Sequence, residues 1–327
     1  MDEIQPKLST SFTSSEDSKL KAIILERKGF LFGLGAQFMW AVCAICIKYG
    51  SKCNSFSPNA HSFLRSVSMT IFSYIAFKYE NIPFTPFSAF KRKGWFLTRM
   101  FGIYLCFLFY IISLKYIRAS TTTCLDNCTP LVIIIISVCF LGDPFYNRYI
   151  IGVIICFFGS LLMILNEKTE TTSTTNTDTS SSGNIVIGVI AGIINVIFYA
   201  LITVAQKLMV DDGLNTAVQL VYIGISNSIL AFGVCILEWN FGLDLYLIFY
   251  ASLNGLAYYY AQALTDKALK NMDVSKFSTI TYTLIIFVFI LGFLFCGEKI
   301  YFSDIIGSLM IVGFQIYNVY YPNIEVK

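Results

Sequence analysis

The sequence predicts an all-α polytopic membrane protein with ten transmembrane helices, arranged as two inverted five-helix repeats. Three observations carry this expectation: the composition, the number and length of the apolar runs, and an echo between the two halves. Of 327 residues, 56% are hydrophobic and 13% charged, whereas a soluble domain carries about 25% charged residues. Mean hydropathy is +0.68. A soluble globule of this size must present a largely polar surface and could not hide so much apolar side chain. The composition therefore excludes an ordinary cytosolic enzyme, a disordered chain and a secreted disulfide scaffold. A net charge of +3 is too small to suggest nucleic acid as a partner.

A membrane-spanning helix needs roughly 17–25 mostly apolar residues. Ten runs qualify: 29–50, 61–79, 94–115, 119–141, 149–165, 185–208, 216–237, 245–268, 274–296 and 303–321. They are too long for barrel strands and show no alternation of period two, so they read as helices. Residues 1–28 are polar and mixed in charge and read as a cytosolic tail. Spans one to five make a first unit over 29–165. Residues 166–184, rich in Ser and Thr, read as a flexible tether. Spans six to ten make a second unit over 185–321, and 322–327 form a short tail.

Orientation is read from Lys and Arg, which accumulate on the cytosolic side. With the N-terminus inside, fifteen of the 23 basic residues fall on cytosolic segments and six on the other side; Arg65 and Arg99 lie within spans. Both termini are therefore expected in the cytosol, at the plasma membrane or an endomembrane.

A shift of 155 residues carries Gly33 onto Gly188, Leu114-Lys115 onto Leu269-Lys270, Phe140 onto Phe295, Gly142-Asp143 onto Gly297-Glu298, and Ile150-Ile151-Gly152 onto Ile305-Ile306-Gly307. A constant offset across several spans is the mark of an internal repeat. Each half holds five helices, an odd number, so the second half enters the membrane from the opposite side. Similar units of opposite topology are the architecture of alternating-access carriers, with the solute site near the midplane between them.

Ionisable groups within hydrocarbon cost about 2.5–3.5 kcal/mol and call for a reason. Asp126 lies about seven residues into span four, four residues before Pro130. Proline has no N–H, so a helix kink at Pro130 would free the Asp126 carbonyl and, beside Asn127 and Thr129, form a polar node. That node suits a substrate or proton-coupling site, or a pairing with a cation on another helix. Arg65 and Arg99 lie near span ends, where both can snorkel to headgroups; Arg99 could instead gate the path or meet an anionic substrate. Trp40 and Tyr199 occupy matching positions in the repeat and are candidates for the site.

The residues from Leu114 to Ser120 (Leu-Lys-Tyr-Ile-Arg-Ala-Ser), Pro130, Leu141-Gly142-Asp143, Gly152, Gly297-Glu298 and Gly307 resemble the EamA-like branch of the drug/metabolite transporter superfamily, the ten-helix group that includes solute-carrier-35-like proteins. At position 285 the second half has Ile where the first half has proline. The resemblance implies ten helices in two inverted repeats and carriage of small organic solutes, with the site lined by spans one, three, four, six, eight and nine. It thereby points to Asn195, Tyr258 and Tyr282 beside Trp40, Asp126, Asn127 and Tyr199, with Arg99 as a further candidate.

The expected function is secondary active transport of small organic metabolites. Nucleotide-sugar/nucleotide antiport in the Golgi or endoplasmic reticulum is the alternative within that class, although the deep basic inventory is thin for a diphosphate. A non-transporting membrane scaffold is the alternative outside it. No catalytic constellation, P-loop or metal-ligand cluster is legible, so neither enzymatic activity nor a cofactor is expected. The expected partners are a small-molecule substrate, a coupling proton and the lipid bilayer; a homodimer is compatible with the sequence.

Overall fold

The computed structural model describes residues 10–50, 57–83, 85–116, 125–126, 128–142, 147–167, 182–238, 244–296 and 302–320. Among the described residues every regular element is a helix. In chain order these are α1 (Thr10–Gly50), α2 (Pro58–Tyr79), α3 (Lys93–Tyr116), α4 (Thr129–Leu141), α5 (Asn147–Glu167), α6 (Ser182–Asp211), α7 (Thr216–Glu238), α8 (Leu245–Asn271), α9 (Val274–Ile280), α10 (Thr283–Cys296) and α11 (Phe302–Tyr320), with a 3₁₀ turn at Phe87–Ala89. Together α9 and α10 make one span, which gives ten. Four helical stretches are long and apolar enough to cross a membrane by themselves, namely Ile24–Gly50, Val186–Asp211, Thr216–Leu237 and Val274–Phe295.

Several boundaries differ from expectation. Helix α1 starts at Thr10, inside the segment expected to be a tail. Residues 7–28 contain neither Gly nor Pro, and their Lys, Leu, Glu and Arg are good helix formers. An ion pair between Glu26 and Lys276 (2.7 Å) pins this extension to α9. Helix α6 likewise begins at Ser182, within the expected tether; the rest of that tract, 168–181, lies outside the described residues.

Pro130 does not kink a continuous helix. It occupies the first turn of α4, where a missing N–H removes no helical bond. Ahead of it Leu125 and Asp126 are helical and Cys128 forms a turn, while Asn127 lies outside the described residues. Span nine is broken between Ile280 and Thr283, without a proline. There the side chains act instead: the hydroxyls of Ser278, Thr281 and Thr283 donate to the carbonyls of Ser275, Ser278 and Ile280 at 2.6–2.8 Å. The Leu284 and Ile285 amides bond three residues back, to Thr281 and Tyr282. Hydroxyl groups competing for helical carbonyls tighten and bend a helix.

The halves interlock through antiparallel pairs that obey the repeat. Helix α1 packs along α8, and its counterpart α6 along α3; α2 pairs with its own counterpart α7, and α5 with α11. Span four rests on α6 and span nine on α1, again related by exchange of halves. The crossings are close where they need to be. A methyl group on Gly159 would lie 2.9 Å from the Gly307 carbonyl oxygen, and one on Gly255 would lie 2.7 Å from that of Arg65. Small residues let membrane helices approach to this distance.

Large apolar side chains cover the outside: Leu31, Ile71, Ile75, Ile135, Ile190, Ile229, Phe249 and Leu309 are all exposed. Such a surface would associate in water and matches a hydrocarbon solvent.

Candidate functional site

Along α8, four polar residues recur every fourth position: Asn254, Tyr258, Gln262 and Asp266. Residues four apart lie on one face of a helix, so they form a single stripe, and all four are buried. Each has its own partners. Asn254 is 2.9 Å from His61 Nε2, at the start of α2. Tyr258 meets Trp40 of α1 edge to face, with ring centroids 4.9 Å apart. Gln262 Oε1 accepts from Arg99 of α3 at 2.8 Å. Asp266 accepts from Gln206 of α6 and Thr216 of α7, both at 2.5 Å.

The middle of this stripe opens onto a mixed polar and aromatic group. The Arg65 guanidinium, from α2, lies over the Tyr258 ring at 4.8 Å and over Phe107 of α3 at 5.6 Å. It is therefore turned into the bundle. Nearby, Asn195 of α6 donates to Asp126 Oδ1 (2.8 Å) and accepts from the Cys106 thiol of α3 (2.9 Å). Cys106 precedes Phe107 in α3, so the Arg65 and Asp126 groups meet the same turn of that helix. Among the described residues, Arg65 and Asp126 form no ion pair with each other.

Tyr199 belongs to this space as well. On α6 the exposed residues Val186, Ile190, Ile193 and Ile197 form one stripe, which is the lipid side. At 100° per residue, Tyr199 points about 200° away from that stripe, yet it is 37% exposed. Its exposure is therefore to an internal space, one turn along α6 from Asn195.

Arg99 lies elsewhere. It is completely enclosed and does not snorkel. Its guanidinium donates to Gln219 of α7 and to Gln262, one helical turn along α8 from Tyr258. Asp266 follows one turn further along α8. Asp126 is thus one of two acids set inside the bundle among the described residues. Asp266, near a span end in sequence, is 6% exposed, because the ends of α6, α7 and α8 close over it.

The expected site residues thus divide into four groups. The fold brings Trp40, Asp126, Asn195, Tyr199 and Tyr258 to one interior space, and it adds Arg65, Cys106 and Phe107, which sequence reading did not place there. Arg99 stands one layer away. Tyr282 is not at this space: it is buried among Ile134, Val153, Cys156, Ile311 and Phe314, on the side of spans four, five and ten. Asn127, Asp143 and Glu298 lie outside the described residues. One sequence signal could have found Asp266: the four-residue polar spacing of α8. Nothing in the sequence separates an inward Arg65 from a snorkelling one. Among the described residues, no group of three or more His, Cys, Asp or Glu is placed to hold a metal ion.

Comparison with known proteins agrees with this architecture. A family model described as the EamA-like transporter family matches residues 27–165 and 186–317. A solved crystal structure, described only as that of a protein, superposes with a TM-score of 0.74 at 15% identity, over 90% of this chain and 97% of the other. At that identity it speaks to the fold alone. No curated protein matches the sequence.

Proposed function

Because the chain belongs to the EamA-like transporter family, whose members are membrane transporters of small molecules, we propose that it is a secondary carrier of a small organic metabolite, working by alternating access. The solute occupies the interior space among Trp40, Asp126, Asn195, Tyr199 and Tyr258. Both termini face the cytosol, as the distribution of Lys and Arg indicates.

One observation carries this reading. Two buried polar clasps flank Tyr258 along α8, and the repeat relates them. Toward one end, Asn254 of α8 holds His61 of α2; toward the other, Arg99 of α3 holds Gln219 of α7. Exchanging the halves converts the α8–α2 pair into the α3–α7 pair. Carriers need a barrier on each side of the solute that opens in turn, and inverted repeats supply two equivalent barriers. Aromatic rings with polar tips suit a carbon-rich solute carrying a few polar groups. Asp126 is the group placed to bind a coupling proton or a cationic part of the solute.

Purified protein in liposomes should take up a solute, with Asp126→Asn and Tyr199→Ala slowing the flux. A scaffold would instead retain its cellular function after apolar replacement of Asp126 and Asn195. Wild-type flux in both transport variants would remove these residues from the site.

A further inference from the structure

We propose that Arg65 is the anion anchor of the interior site, so that the carried solute bears one carboxylate beside a flat or bulky apolar body. This deepens the carrier reading and rests on it for the solute being carried, but the binding claim is tested separately. Arg65 comes from α2, which the family resemblance did not place among the lining spans, and its side chain reaches between α3 and α8 to lie over Phe107 and Tyr258. Aromatic faces hold a guanidinium by its flat surface. They leave its in-plane N–H donors at the edge, the geometry that receives a carboxylate through two parallel hydrogen bonds. Among the described residues, those donors meet no carboxylate.

A cation held inside a membrane protein without an acid partner is costly. Elsewhere this protein answers that cost: Lys276 has Glu26, Lys207 has Asp211, and Arg99 has two Gln acceptors. Among the described residues Arg65 has ring faces only, and a solute anion completes it. Trp40, which meets Tyr258 edge to face, supplies the apolar wall. Asp126, joined to Cys106 through Asn195, repels a second negative charge. The site therefore favours a monoanion or a zwitterion over a diphosphate, which would require several cations.

The test uses the full-length protein in detergent at neutral pH, with acetate, 3-phenylpropionate and indole-3-acetate as probes and the neutral amide of each as control. Binding is read from the ligand-dependent shift in thermal unfolding. The expected result is that at least one aryl carboxylate binds about tenfold more tightly than its amide, the scale of a charge-assisted hydrogen bond. Arg65→Gln should abolish that preference, and Arg65→Lys, which keeps the charge without the planar fork, should retain part of it. The proposal is overturned if amides bind as well as acids in the wild type, if no acid stabilises the protein, or if Arg65→Gln preserves the preference. The wild-type comparison decides the matter even if a variant fails to fold. Uptake of the same compounds into liposomes reads the carrier function independently. Acid-selective binding without flux leaves Arg65 assigned and removes the carrier; flux confined to neutral or cationic solutes does the reverse.

Discussion

Arg99 and Asn254 stand 155 residues apart, at the same position of the two halves, and each reaches a partner on span seven or span two of the opposite half. The pair shows the repeat acting in chemistry as well as in helix packing. A fully buried guanidinium serves one end of the bundle and a carboxamide with a histidine serves the other. The two clasps thus differ in strength, and the ends should open with different ease.

Arg99→Met removes the only charged donor of its clasp and leaves the Gln219 and Gln262 oxygens buried. Each orphaned acceptor costs about 1–3 kcal/mol. The variant should unfold at a clearly lower temperature in detergent, whereas Asn254→Leu, which breaks a neutral contact, should lower it less. Equal shifts would show that the guanidinium adds nothing to the clasp.

Asn195→Leu deletes the donor to Asp126 and the acceptor for Cys106 in one step. It should slow uptake by about tenfold, matching the loss of a hydrogen bond to a charged group. Asn195→Asp preserves the acceptor but sets two carboxylates side by side, and uptake should then become strongly pH-dependent. Undiminished uptake in the first variant and a flat pH profile in the second would detach Asn195 from the mechanism.

Gly159→Val places a branched side chain where a methyl group already lies 2.9 Å from the Gly307 carbonyl oxygen. That oxygen belongs to backbone and cannot swing aside, so α5 and α11 must separate. The yield of monodisperse protein should fall sharply. Gly313→Val faces open space on the same helix pair and should be tolerated, which controls for helix propensity.

The break in span nine is made by side chains, so side chains should be able to mend it. Combined replacement of Ser278, Thr281 and Thr283 by Ala frees the carbonyls they occupy. Amide exchange at residues 281–285 should slow as the helix closes, and uptake should fall if the break serves the transport cycle. Unchanged exchange would place the cause of the break in tertiary packing.

A reporter fused to each terminus should give the same answer, on the cytosolic side. Opposite answers would require an odd number of crossings and remove the inverted repeat.

Much of the architecture was legible before any coordinates. Hydropathy is a sum over single residues and needs no knowledge of neighbours, so composition and run length identified a polytopic helical membrane protein. The constant offset and odd helix count made the two halves inverted. Trp40, Asp126 and Tyr199 stood out because an acid or an equivalent aromatic is unusual wherever it falls along a span. The tertiary structure alone decided direction: that Arg65 turns inward over Tyr258, that Arg99 is enclosed, that Asp266 is buried at a closed end, and that Tyr282 packs away from the site. Long side chains at span ends can reach either headgroups or protein. Which they choose depends on the helices opposite, and those are brought together only by folding.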